Sequence, residues 1–211
     1  MEVSLIQATR YPIETIARIA SICYDSNPKH PERLVKHLYM SGHHSVFEHI
    51  WFTFKIEGIS RACSHQLVRH RMCAFTQRSQ RYCSEEGFEH VTPPKMLSTQ
   101  DAFYWYSQAM DKAADAYQIL TNLEDVPNED ARFVLPNACE TSLYMSCNLR
   151  ELIHICNERL CSRAQWEIRE LVEGMRELVD EDLRWMLVPK CQSKLMICNN
   201  TCGRARKYEE E

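Results

Sequence analysis

The sequence predicts an α+β fold, one helix-rich domain over residues 1–211 with a small sheet. Three observations predict it. Apolar residues recur at helical spacing in several stretches. A few short runs rich in aromatic and β-branched residues read as strands. No Gly/Ser-rich or Pro-rich linker divides the chain, only five Gly occur in it, and strands and helices show no regular βαβ rhythm.

The elements follow in order. Leu5 to Gln7 suits a short first strand. Pro12 stands where a helix begins, and Ile13, Ile16, Ala17 and Ala20 form its apolar stripe. Pro31 opens a second helix carrying Leu34, Leu38 and Tyr39, which stops near Gly42. Ile50 to Ile56 reads as a strand because Trp51, Phe52, Thr53 and Phe54 favour a pleated surface. Ser60 is placed to cap a helix through Arg61, Ser64 and Val68, so Arg69-His70-Arg71 falls at its C-terminal end. Phe75 to Cys83 reads as loop or irregular strand. Ser98 with Asp101 resembles a capping box, and the long helix after it is expected to bury Phe103, Tyr106, Met110, Ala113, Tyr117 and Leu120. Pro127 starts a short helix that must end before Pro136. Glu140 to Cys147 suits a strand. Asn148 to Leu160 is helical, with Leu149, Leu152, Ile153, Cys156 and Leu160 on one face and Arg150 and His154 together on another. A last long helix carries Trp166, Ile168, Leu171, Val172, Met175, Leu178, Val179 and Met186. Residues 189–211 read as a polar tail containing cysteines.

Composition narrows the function. Hydrophobic residues make up 45% of the chain and charged residues 26%, with a formal net charge of −4. That is the balance of a water-soluble globular protein, and mild acidity argues against bulk attraction to nucleic acid or anionic membrane. No apolar run reaches the length of a membrane span. The N-terminus lacks the pattern of a secretory signal, so cytoplasm is the expected location. There are 11 Cys, an odd number, and no Cys-x-x-Cys pair. Reduced thiols fit better than a disulfide framework, and no single thiol is marked as a nucleophile. Cys191, Cys198 and Cys202 are close in sequence, but their spacing fits no ordinary zinc pattern.

Against this background one window stands out. From Ile59 to Ser84 there is no Asp or Glu, while Arg61, Arg69, Arg71, Arg78 and Arg81 accompany His65 and His70. Unbalanced guanidinium groups repel one another, and a planar guanidinium suits a bidentate grip on phosphate. In an acidic chain such a local cluster favours a small anionic ligand. Further clusters are His43-His44-Ser45-Val46-Phe47-Glu48-His49, Asn148-x-Arg150-x-x-x-His154 continuing to Arg159 and Arg163, and Arg132. His43, Glu48 and His49 could join a turn to a strand or ligate a metal, though their spacing is not His-Glu-x-x-His. Arg150, Arg159 and Arg163 could equally be a solvated face paired with Glu151, Glu158 and Glu167. No Gly-rich phosphate loop is present, so a dinucleotide would be held by side chains.

Taken together these residues resemble the flavin-dependent thymidylate synthases. The family's signature, Arg-His-Arg, seven residues, then Ser, is complete at Arg69-His70-Arg71 and Ser79. Upstream lie Gly42-His43 and Glu48-His49. Downstream, in order, come Ala131-Arg132-Phe133-Val134-Leu135-Pro136, Asn148-x-Arg150, Arg159 and Ala164-Gln165-Trp166-Glu167-Ile168.

The resemblance implies that family's fold, with a small, mainly antiparallel sheet. It implies reductive methylation of deoxyuridine monophosphate (dUMP) to thymidine monophosphate (dTMP). Methylenetetrahydrofolate would give the carbon and NADPH-reduced flavin adenine dinucleotide (FAD) the hydride, with tetrahydrofolate released. It also implies a homotetramer with active sites shared between subunits, and no metal. Carried over by residue, Ser45, Arg69, His70, Arg71, Gln77, Asn148, Arg150 and His154 would hold the flavin nucleotide, with His43 and Glu48 near its ring system. Gln66, Arg69, Gln77, Ser79, Gln80, Arg81, Arg132 and Arg159 would hold dUMP, with Arg81 and Arg132 on its phosphate. Arg159 would be the catalytic residue, its charge against N3 and the adjacent carbonyl favouring the deprotonated, electron-rich uracil ring. His154 and Ser45 stand where the family also has Asn and Thr. Gln77 stands where some members have Glu, and Arg163 where some have His.

Two other readings make different expectations. A nucleic-acid-binding module would use residues 61–81 with Phe75 and Tyr82 to grip a strand by charge and stacking. A metal-dependent hydrolase would use His43, Glu48, His49 and His65.

Overall fold

A computed structural model describes residues 1–193, Cys198 and Cys202. The acidic end at Glu209-Glu210-Glu211 and most of the predicted tail lie outside the described residues. Helix accounts for 51% of the described residues. Four strands, β1 (Glu2–Ala8), β2 (Trp51–Ser60), β3 (Cys73–Gln77) and β4 (Glu140–Asn148), form an antiparallel sheet in the order β1-β2-β4-β3. The helix-rich α+β expectation and its antiparallel sheet hold. By internal packing the chain divides into two compact units.

The first unit comprises Met1–Glu2, Ile56–Leu67 and Thr76–Leu143. It holds α3 (Arg61–Leu67), the 22-residue α4 (Gln100–Thr121) and the short α5 (Asn128–Ala131). Ser60 caps α3 as expected, its hydroxyl accepting from the Cys63 N–H at 3.0 Å. The cap of α4 is Thr99 and not Ser98: the Thr99 side chain accepts from Ala102 N, while Ser98 Oγ donates back to Lys95 O. Of the six α4 residues expected inside, only Tyr117 is fully buried, and Phe103 is 48% exposed. The Tyr117 hydroxyl is satisfied by the Glu85 N–H at 3.0 Å. Gly58 has φ 66°, and a Cβ there would lie 3.2 Å from the Met1 nitrogen.

The second unit comprises Val3–Lys55, Val68–Phe75 and the described residues from Tyr144 onward. It holds α1 (Pro12–Ser21), α2 (Pro31–Met40), α6 (Leu149–Arg159) and α7 (Trp166–Leu178). Pro opens α1 and α2, and those two helices pack together, as do α6 and α7. α7 buries Ile168, Leu171, Val172 and Met175 completely. Each such side chain contributes roughly 1.5–3 kcal/mol of hydrophobic stabilisation. Contrary to the sequence expectation, α7 ends at Leu178, because Val179 turns extended and the Asp180 carboxylate caps a new 3-10 turn at Glu181–Leu183. The segment read as loop or irregular strand from Phe75 is strand at its start, within β3 from Cys73 to Gln77. Among the described residues no helix is long and apolar enough to cross a membrane.

Candidate active site

In the second unit the site is organised by α6. Asn148 caps it, the side-chain carbonyl accepting from the Glu151 N–H at 2.9 Å. Arg150, His154 and Asn157 then follow at spacings of four and three, which puts them on one helical face. They line a pocket of about 480 Å³ together with Asn148, Glu151, Glu48, Met72 and Tyr39. Arg150 reaches across to the Glu48 carboxylate. This pairing, unmarked in the sequence, gathers two separate clusters into one wall. Burial pushes the Tyr39 hydroxyl pKa up, and a hydrogen bond with Ser193 opposes that shift.

Asn157 is only 4% exposed, and its Oδ1 is the one buried side-chain polar atom among the described residues with no hydrogen-bond partner. Its position was readable as the next residue on the Arg150–His154 face, yet nothing in the sequence marked it as unsatisfied.

His70 sits behind this pocket with 6% exposure. Arg159 Nε donates to His70 Nε2 at 3.0 Å. Nε2 is therefore the acceptor, so the ring proton lies on Nδ1, which faces Glu151 Oε1 at 3.5 Å. The His154 ring stands 5.6 Å away, centroid to centroid. Burial lowers the His70 pKa to about 4, helped by the charges of Arg159 and His154. Burial raises the Glu151 pKa, with His154 opposing. His70 is thus neutral at physiological pH, as an acceptor from a guanidinium must be.

His70, Glu151 and His154 form the one cluster among the described residues whose donor atoms could surround a metal. With Arg159 on Nε2 and the proton on Nδ1, however, His70 has no lone pair to give. His43, Glu48, His49 and His65 do not form such a cluster, and Glu48 is taken by Arg150. The metal-hydrolase reading loses its ligand set.

Ser45, Arg69 and Arg71 are exposed and do not line the pocket. Arg69 and Arg71 flank His70 in the turns between α3 and β3 and have no ion-pair or hydrogen-bond partner among the described residues. They keep the unbalanced charge that the sequence showed. Arg78 and Arg81 do not. Arg78 pairs with Glu85 at 3.2 Å, and Arg81 pairs with Glu129. Those two acids, seven and 48 residues from their partners in sequence, break up the basic run that a nucleic-acid strand would need.

In the first unit Glu129 brings two predicted phosphate ligands to one place. Its carboxylate takes Arg81 Nε, and its backbone carbonyl accepts from Arg132 Nε at 3.0 Å. Ser79 Oγ accepts from the Arg81 N–H at 3.2 Å. The Gln77 amide donates to Ser64 Oγ and Thr141 Oγ1 at 3.0 and 3.2 Å, and the buried Gln80 amide donates to Cys139 Sγ. Gln66 is half-buried on α3. Among the described residues none of the 11 cysteines is joined in a disulfide. Burial pushes Cys139 up to about 11 and Cys156 up to about 12, which leaves both protonated and poorly nucleophilic.

Against known proteins, residues 4–183 match the model of a family described as thymidylate synthase complementing protein. The chain is 44% identical over 191 residues to the flavin-dependent thymidylate synthase of Geobacter sulfurreducens, covering 85% of this chain and 82% of that protein. The chain belongs to this family. It is also 38% identical over 216 residues to the flavin-dependent thymidylate synthase of Pyrococcus furiosus, covering 90% and 86% of the two chains. The fold is shared with thymidylate synthase X of Helicobacter pylori, solved with FAD and dUMP, at a TM-score of 0.73 and 20% identity over 89% of this chain and 97% of that one.

Proposed function

We propose that this chain forms dTMP from dUMP, with methylenetetrahydrofolate as carbon donor, NADPH as reductant and FAD as cofactor. The reading takes the chain as one synthase domain, since the family match runs through both units without a break. It includes a homotetramer with shared active sites, and a cytoplasmic location. The observation that carries it is the pair Arg69 and Arg71, exposed and unpaired beside a His70 that is tied to α6. Guanidinium groups without an acid partner suit the pyrophosphate of a dinucleotide.

The donor set fits FAD. Ser45, Arg69, Arg71, Asn148, Arg150 and His154 offer hydroxyl, guanidinium, amide and imidazole groups, and the α6 pocket contains an unsatisfied buried acceptor. When bound, the flavin supplies the hydride. The protein's part is orientation and charge. Arg81 and Arg132 neutralise the dUMP phosphate, while Gln66, Gln77, Ser79 and Gln80 fix its orientation. Arg159 stabilises the uracil anion, which makes C5 nucleophilic towards the one-carbon unit. Because Arg cannot give up its proton, it stabilises charge and does not act as a base. Neutral His70 holds the Arg159 guanidinium by its Nε, so the imidazole adds no competing positive charge.

The test is the visible spectrum of the protein after loading with FAD and removal of the excess. NADPH is then added without oxygen, with and without dUMP. A bound flavin band that bleaches faster with dUMP supports the reading, and protein that retains no flavin defeats it. Arg159→Ala should keep the band but form no dTMP when folate is supplied. Retained synthesis would remove Arg159 from its role.

A further inference from the structure

We propose that the Asn157 side-chain carbonyl accepts a hydrogen bond from an N–H or O–H donor of the flavin nucleotide, making Asn157 a further cofactor-positioning residue. The inference rests on the synthase reading above, which puts FAD against α6.

Three observations converge. Asn157 lines the same pocket as Asn148, Arg150 and His154. It lies three residues after His154 and seven after Arg150, on the same helical face. Its Oδ1 is buried without a partner. A buried carbonyl that accepts nothing forfeits its hydration without compensation, and such orphans are rare in folded proteins. Three neighbouring side chains of the wall are already engaged: Asn148 accepts from Glu151 N, Glu48 binds Arg150, and Glu151 faces His70. The orphan therefore singles out what the ligand must bring, a donor. The pyrophosphate and the ribityl phosphate ester oxygens offer none. The imide N–H of the flavin ring, the exocyclic amine of the adenine and the ribityl and ribose hydroxyls do.

The experiment measures binding, without turnover. The flavin-free protein is titrated with FAD, and separately with FMN, following quenching of flavin fluorescence. The same protein's melting temperature is recorded without flavin. Wild type is compared with Asn157→Leu, which keeps the branching but removes the acceptor, with Asn157→Ala as a smaller variant should Leu overfill the site. Asn157→Asp keeps an acceptor. The expected result is a loss of affinity of roughly ten- to a hundredfold for Leu and Ala, with Asp closer to wild type. The flavin-free Leu variant should melt no lower than wild type, because an unsatisfied polar group has been removed from the interior. A loss confined to FAD assigns the donor to the adenosine half, and a loss shared by FMN assigns it to the flavin and its ribityl chain. Unchanged affinity in Leu and Ala overturns the proposal. So does a parallel fall in melting temperature and affinity in both, which is the mark of a merely structural side chain. Wild-type protein that binds neither flavin would instead defeat the synthase reading itself.

Discussion

His70 is held between Arg159 and Glu151 with one proton and a pKa of about 4. An unfolded histidine titrates near 6.5. Between those values the unfolded chain binds more protons than the folded one, so folding stability must rise with pH across that window. The contribution is complete above pH 6.5 and lost as pH falls towards 4. Its upper size is about 3 kcal/mol, taking about 1.4 kcal/mol for each pH unit. His70→Gln removes the titration while keeping a side chain able to accept from Arg159. Chemical unfolding of both proteins at several pH values between 4 and 7 should give a shallower pH slope for the variant. Equal slopes would show that the imidazole is not held neutral.

At the scale of elements, α6 shows one residue serving two ends. The Asn148 carbonyl caps the helix at Glu151 N, and the residue also lines the pocket. Asn148→Asp keeps the cap and loses the donors. It should melt like wild type but bind FAD more weakly. Asn148→Ala loses both and should also cost about 1 kcal/mol of stability. Calorimetry with a flavin titration separates the two effects, and equal behaviour of the variants would refute the split. Helices such as α6 were legible because Leu149, Leu152, Ile153 and Cys156 repeat with the helical period and Asn148 is a strong cap. The cap of α4 was misread by one residue because Ser98 and Thr99 are both good caps, and only the backbone path chooses between them. The end of α7 was missed because Val179 and Met186 continue the apolar pattern after Asp180 has started a new turn. The family's site residues could be named from the ordered motifs. Their partners could not, because Glu129 with Arg81, Glu48 with Arg150 and His70 with Arg159 are separated by 48, 102 and 89 residues.

For the whole molecule, the informative failure is α4. Its sequence pattern promised burial of Phe103, Tyr106 and Leu120, but in the single chain Phe103, Tyr104 and Ile119 are exposed and Trp105 is 69% exposed. Large aromatic side chains gain most from leaving water, and Phe103, Tyr104 and Trp105 are consecutive and exposed. The occupant we assign is a second copy of this chain, in keeping with the proposed homotetramer. On that proposal Phe103, which the sequence placed inside, is covered between chains and not within one. Trp105→Glu places a charge where two apolar faces would meet and should shift the protein to a smaller species in sedimentation velocity. Because the proposed active sites are shared between subunits, flavin binding should fall with the assembly and recover as protein concentration is raised. A variant that sediments like wild type would show that this face of α4 is not the contact. A monomer that still binds flavin fully would show that the cofactor site is complete within one chain.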